Sequence, residues 1–217
     1  HHVSEGLLLE YAAGTLDEPS SLLVATHLAL CPSCRAIVRD AEAIAGALLG
    51  DEEPEAMSAA SLQAVLQRTA QPAPVPAPAP AHPRNPDLAA AANLPQPLRG
   101  YVSDALAKRR WSPVAPGLRQ LVLAESGAMT ARLFYLAPGT RVPVHTHRGQ
   151  ELTMVLHGAY SDECGTFARG DVAELDDAVT HQPVVSQEGD CVALAVTDAP
   201  LRFRNWAVRL VQPLLGI

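Results

Sequence analysis

The strongest constraint on how this chain can fold is the stretch QPAPVPAPAPAHPRNPDLAAAANLPQP at residues 71–97, which holds nine of its nineteen prolines. Alternating Pro and Ala makes neither a sheet ladder nor a helix, because proline lacks an N–H and its ring clashes with the preceding turn. Such a stretch favours extended polyproline II and acts as a semi-rigid linker. It separates a unit at about 1–70 from a unit at about 98–217. The two differ in charge. Residues 1–70 carry ten Asp and Glu against three Lys and Arg, whereas residues 71–217 carry thirteen of each, so the net charge of −7 rests on the first unit. An acidic surface repels nucleic acid and suits a basic protein partner, although a merely solvated acidic face is the plainer reading.

No run of 18 or more apolar residues exists, which argues against a membrane span, and no signal peptide is visible. Four cysteines in 217 residues do not make a secreted disulfide framework. Two of them are three apart, which points to metal or redox use in a reducing compartment and so to a cytoplasmic chain.

The first unit reads as helical. Val3, Leu7, Leu8 and Tyr11 recur at helical spacing, and Gly14 is a stop. Asp17 before Glu18 and Pro19 opens a second helix, which Pro32 must end. The same Pro32 suits the first turn of a third helix running to Gly50, and Ser61–Thr69 forms a short fourth.

At the second junction stands HLALCPSC, residues 27–34. Each helical residue turns the chain by about 100°, so His27 and Cys31 lie about 40° apart on one face. Cys34 falls in the first turn of the next helix, whose dipole favours thiolate, the form that zinc binds. His2 is the candidate fourth ligand. Structural zinc would supply roughly 10–16 kcal/mol of apparent binding energy to a unit too small to build a large core. A C-x-x-C can instead be a redox pair, but that reading wants a βαβ context, and His27 alone could be a satisfied core histidine. The pattern of an early His followed by H-x-x-x-C-x-x-C resembles the zinc-binding anti-sigma domain, a four-helix module that binds extracytoplasmic-function (ECF) sigma factors. His2, His27, Cys31 and Cys34 match it. The resemblance implies zinc held by the first three helices, with the fourth helping to grip the sigma factor.

The second unit changes period. RQLVLAE (119–125), TARLFYLA (130–137), ELTMVLHG (151–158) and CVALAVTD (191–198) are short strand-like runs separated by Gly, Pro, Asp and Asn, which suggests an all-β sandwich or barrel. In a strand, His145 and His147 point to the same side, and even spacing keeps Glu151 with them. Two imidazoles and a carboxylate call for a further ligand; His181 is the first candidate and His157 the competitor. Gly139, five residues, His145-x-His147, three residues, Glu151, six residues and Gly158 together resemble the first cupin motif. The second cupin motif is incomplete, with Gly170 but no P-x-G before His181.

The chain thus reads as an α + β multidomain protein: a zinc-binding helical domain of about four helices, a linker, and a cupin β-barrel or jelly roll. That order resembles the ChrR class of anti-sigma factors over nearly the whole length. The resemblance implies a non-enzymatic regulator that sequesters an ECF sigma factor and releases it on singlet oxygen or organic hydroperoxide. It would hold Zn²⁺ in the first domain and a divalent metal (Zn²⁺, or Fe, Mn or Ni) in the cupin, with no direct contact to nucleic acid or membrane. The alternative is a metal-dependent cupin dioxygenase with a zinc-bound helical appendage. Cys164 and Cys191 read as inert thiols, with Cys191 a weak candidate for an oxidant sensor.

Overall fold

A computed structural model describes residues 1–70, 94–108, 110–200 and 202–203. Most of the Pro/Ala stretch, residues 71–93, therefore lies outside the described residues, as does the chain after 203.

Local signals set the helices. α1 (Glu5–Ala12) ends before Gly14. α2 (Glu18–Leu30) begins where the Asp17 side chain accepts from the Ser20 N–H at 2.9 Å, which satisfies one of the unpaired donors of the first turn. Pro32 then opens α3 (Pro32–Gly50), and the helix axis turns by 117° between the two. The Arg35 guanidinium donates back to the Leu28 carbonyl and ties the corner together. α4 (Ala59–Ala70) follows. A fifth helix, α5 (Gln96–Lys108), begins inside the stretch read as linker, with Pro97 in its first turn and Leu98, Val102 and Ala105 on its buried face. Among the described residues no single helix is long and apolar enough to cross a membrane.

Among the described residues twelve strands follow, and four carry the site argument with their neighbours. β2 (Leu118–Ser126), β3 (Met129–Leu136), β11 (Cys191–Thr197) and β5 (Glu151–His157) lie side by side. β1 (Ser112–Ala115) and β8 (Val172–Leu175) complete the edges of this six-stranded sheet. β6 (Ala159–Asp162), β7 (Gly165–Ala168) and β10 (Val184–Val185) make a small second sheet. A third is formed by β4 (His145–Thr146), β9 (Thr180–His181) and β12 (Arg202–Phe203). All the strand pairings are antiparallel. The architecture is thus helices followed by a cupin-like β-sandwich.

The large sheet is buried on both faces, which is why its strands read as nearly continuous apolar runs. Leu152, Met154 and Leu156 of β5 point toward the helices, with Leu133 of β3 and Leu194 of β11. The alternate residue Val155 points into the sandwich with Leu136, Tyr160 and Cys191. The helix-side layer is continuous with Leu22, Leu23, Val24 and Leu28 of α2 and Leu98 of α5, so helical unit and sheet share one core. This explains α2. It is apolar nearly all round because one side meets α1 and α3 and the other meets the sheet and α5.

Candidate metal centres

Among the described residues two clusters of ligand-type side chains form. In the first, His2, His27, Cys31 and Cys34 each bring one donor atom to a common point, all within 4.8 Å of one another. Cys31 Sγ lies 3.3 Å from His2 Nδ1, and Cys34 Sγ lies 3.5 Å from His2 Nδ1 and 3.3 Å from His27 Nε2. Around a tetrahedral zinc, with Zn–N about 2.0–2.1 Å and Zn–S about 2.3 Å, nitrogen and sulfur stand about 3.6 Å apart. The spacing therefore fits. The chemistry fits too. His27 Nδ1 is 3.0 Å from the Gly170 carbonyl, which can only accept, so Nδ1 carries the proton and Nε2 turns a lone pair toward the sulfurs.

The two thiols are unequal. Burial raises Cys31, but hydrogen bonds from the Ser33 hydroxyl, the Cys34 backbone N–H and side chain, and His2 outweigh it and bring it down to about 6. Burial and the neighbouring Cys31 push Cys34 up to about 11. One thiolate is thus ready at neutral pH, and a bound cation would deprotonate the second.

In the second cluster His145, His147 and His181 converge, all buried. β4 pairs with β9 so that His145 stands opposite His181. His181 Nε2 lies 3.1 Å from His145 Nε2 and 3.3 Å from His147 Nε2. His181 Nδ1 donates to the Asp162 carboxylate at 2.7 Å, and His145 Nδ1 donates to the Pro143 carbonyl at 2.9 Å. Both Nε2 atoms are therefore acceptors, and they face each other. Burial, which Glu151 offsets only in part and to which the neighbouring His181 and His147 add, holds His145 down at about 4, so His145 itself is neutral at neutral pH. Two lone pairs about 3 Å apart in a buried site call for a cation between them.

Glu151 stands at the opposite side of His147. Its Oε2 is 3.3 Å from His147 Nδ1 but not aligned as a hydrogen bond, and its Oε1 accepts from the Thr153 hydroxyl at 2.9 Å. The group of atoms within mutual ligand distance contains the three imidazoles without this carboxylate. Burial raises Glu151, yet His147, His145 and Thr153 outweigh it and hold the carboxyl below its usual range. His157 does not join: it is exposed and pairs with Asp190 at 3.3 Å. Cys191 is fully buried, and burial with the adjacent Asp190 pushes its thiol up to about 12, so it is not a poised thiolate. Cys164 is exposed, and burial with Asp162 and Glu163 raises it. Gly158 closes the motif for a steric reason: at φ +69° a side chain there would meet the Asp190 carbonyl at 2.0 Å.

The roles of Asp162, Gly170 and Ser33 escaped the reading from residue types and spacing, which met Gly170 only as the glycine of the incomplete second cupin motif. The first two act across strand pairings far apart in sequence, and Ser33 is a common residue in a helix first turn.

Comparison with known proteins gives the family. Residues 102–200 match the family model described as a ChrR cupin-like domain, and residues 4–35 match a zinc-finger family model. The Anti-sigma-E factor ChrR of Cereibacter sphaeroides is 44% identical over 218 residues, covering 100% of this chain and 98% of that protein. The chain belongs to the ChrR family of anti-sigma factors. A crystal structure of Rhodobacter sphaeroides SigE in complex with the anti-sigma ChrR superposes at a TM-score of 0.72 with 41% identity, covering 91% of this chain and 98% of that one. The role of this ChrR-family chain is regulatory rather than catalytic, which sets aside the dioxygenase alternative.

Proposed function

We propose that this ChrR-family chain sequesters an ECF sigma factor through residues 1–70 and releases it when the cupin, residues 98–217, meets singlet oxygen or an organic hydroperoxide. The observation that carries the reading is the full-length likeness to a chain seen in complex with SigE. The surface of the helices supports it. Ile44 and Leu48 of α3 and Leu62 and Leu66 of α4 are each at least half exposed, and each pair recurs at i, i+4. Two apolar stripes left on an acidic unit suit a partner that presents both basic and apolar surface.

Zinc belongs to His2, His27, Cys31 and Cys34, where it would fasten the chain start to the α2–α3 corner and so set how α3 leaves the body. The divalent ion of the cupin belongs to His145, His147 and His181, with Glu151 behind His147 as the carboxylate that orients its ring. That ion would supply a site whose ligands or coordination an oxidant can alter. The chain's own residues then matter in two ways. Asp162 and the Pro143 carbonyl keep two imidazoles in the tautomer that binds, and the shared core carries a change in the sandwich to α2. Working between a polymerase subunit and an oxidant, the protein would act in the cytoplasm.

The test is a purified complex of the full chain with its sigma factor, exposed to an illuminated photosensitiser. Loss of the complex in the unmodified chain, and its persistence in His145→Ala, is the expected result. Equal release from both would place the sensor elsewhere.

A further inference from the structure

The turn between β7 and β8, residues Arg169–Asp171, belongs to the sandwich by sequence yet touches the zinc cluster. The Gly170 carbonyl accepts from His27 Nδ1 at 3.0 Å. Four residues on, Glu174 Oε1 accepts from the Ser4 N–H at 2.6 Å, which anchors the segment carrying His2. Residues 170–174 thus hold one zinc donor, His27, directly and anchor the backbone two residues beyond a second, His2.

The same turn is pinned to β5. Gly170 N–H donates to the Val155 carbonyl at 2.8 Å, Val155 N–H donates to the Asp171 carbonyl at 3.1 Å, and Arg169 Nε donates to the Leu156 carbonyl at 3.1 Å. The strands that meet at this turn lead toward the other cluster. β5 begins at Glu151, four residues before Val155, or about 13 Å away at about 3.3 Å per residue. β7 returns to the β6–β7 turn, where Asp162 accepts from the N–H groups of Cys164 and Gly165 with one oxygen and holds His181 Nδ1 with the other. β8 ends at Leu175, opposite Glu151. Three strands therefore run from the orienting groups of one cluster to those of the other.

We propose that the β7–β8 turn is the outer shell of the zinc site, with Gly170 and Glu174 as its positioning residues, and that through it occupancy of the cupin metal sets the zinc affinity of the helical unit. The proposal rests on the ligand assignment made above. The physical ground is that an imidazole ligand binds well only when its other nitrogen is held by an acceptor, and loss of such an acceptor commonly weakens metal binding by about 10–100-fold. A carbonyl on a turn pinned to β5 moves when β5 or β7 moves.

Cobalt titration of the full metal-free chain tests this, because only the N-terminal cluster contains thiolates and only it gives a sulfur-to-cobalt charge-transfer band. Gly170→Ala is informative because no atom lies within 4 Å of an added Cβ, so the change acts through the backbone, which sits at φ +98°. Glu174→Ala removes an exposed acceptor and leaves the turn alone, which guards against a Gly170 variant that fails to fold. We expect about 10-fold or greater weakening of the thiolate-site affinity in Gly170→Ala, with loss of the slowly exchanging His27 Nδ1 proton, and a smaller weakening in Glu174→Ala. His145→Ala, which leaves the zinc cluster intact, should weaken the same site severalfold, and its effect should not add to that of Gly170→Ala. Unchanged thiolate-site affinity in both Gly170→Ala and Glu174→Ala, or strict additivity with His145→Ala, would overturn the proposal. A missing charge-transfer band in the unmodified chain would instead overturn the ligand assignment beneath it.

Discussion

The two clusters solve the same problem with opposite means. The N-terminal one gathers its donors from a chain start, a helix and a helix–helix corner, and two of the four are thiols. The cupin cluster takes its imidazoles from around one edge of a β-sandwich, all buried, with two of them locked in tautomer by Asp162 and Pro143. The first has little scaffold of its own and depends on the ion for cohesion. The second is prepared by the fold and would keep its shape without an ion. A closed thiolate site suits a fastener, and an imidazole site on a rigid scaffold suits chemistry that changes while the fold stays put.

That contrast breaks most readily at Cys34. Cys34→Ser should abolish zinc retention, remove most of the roughly 10–16 kcal/mol of apparent binding energy that such sites supply, and lower the melting temperature read by far-UV circular dichroism more than any other single change. His145→Ala should empty the cupin site with a far smaller drop in melting temperature. Equal losses in the two variants would erase the distinction between fastener and prepared site. The next largest effect concerns the core common to both regions. Leu23, fully buried between helices and sheet, should cost about 2–5 kcal/mol when changed to Ala, and it should lower one thermal transition for the whole molecule. Two separate transitions, only one of them shifted, would show that helices and sandwich unfold independently. Asp162→Asn should weaken the cupin metal by about 10–100-fold, measured by chelator competition, while the fold persists.

The smallest effect is a difference in thiol reactivity. With metal bound, an alkylating reagent should modify the exposed Cys164 and spare Cys191. After chelation Cys31 should react first, and its rate should fall as the pH drops below about 6, because protonation removes the thiolate. Labelling of Cys191 in the folded chain, identified by peptide mapping, would contradict its burial.

Much of this was legible from local signals. Asp17 before Pro19, Pro32 after Cys31 and the regular recurrence of leucine place α1 to α3, because caps and proline act over a few residues. The strands of the large sheet were visible as apolar runs between turn residues. α5 was hidden: Pro97 continues the composition of the stretch before it, although Leu98, Val102 and Ala105 already have helical spacing. The shared core was hidden as well. A proline-rich stretch suggests separate bodies, and the apolar residues of α2 read as one buried side rather than as a surface with a partner on each side. In the cupin cluster the spacing of Glu151 put it on the correct side of β5. Its stand behind His147 depends on the Thr153 hydroxyl and on how the imidazole turns, which no spacing rule reaches. Asp162 and Gly170 act through the pairing of strands and helices far apart in the chain, so nothing beside them in the sequence marks these contacts.

The most direct test of the central claim is capture from host extract on the immobilised full chain, with and without a zinc chelator, and identification of retained proteins by mass spectrometry. The account predicts an ECF sigma factor held by the zinc-loaded chain and lost on chelation. A chain with its zinc content confirmed that retains no sigma factor, or one that holds it equally well without zinc, would contradict it.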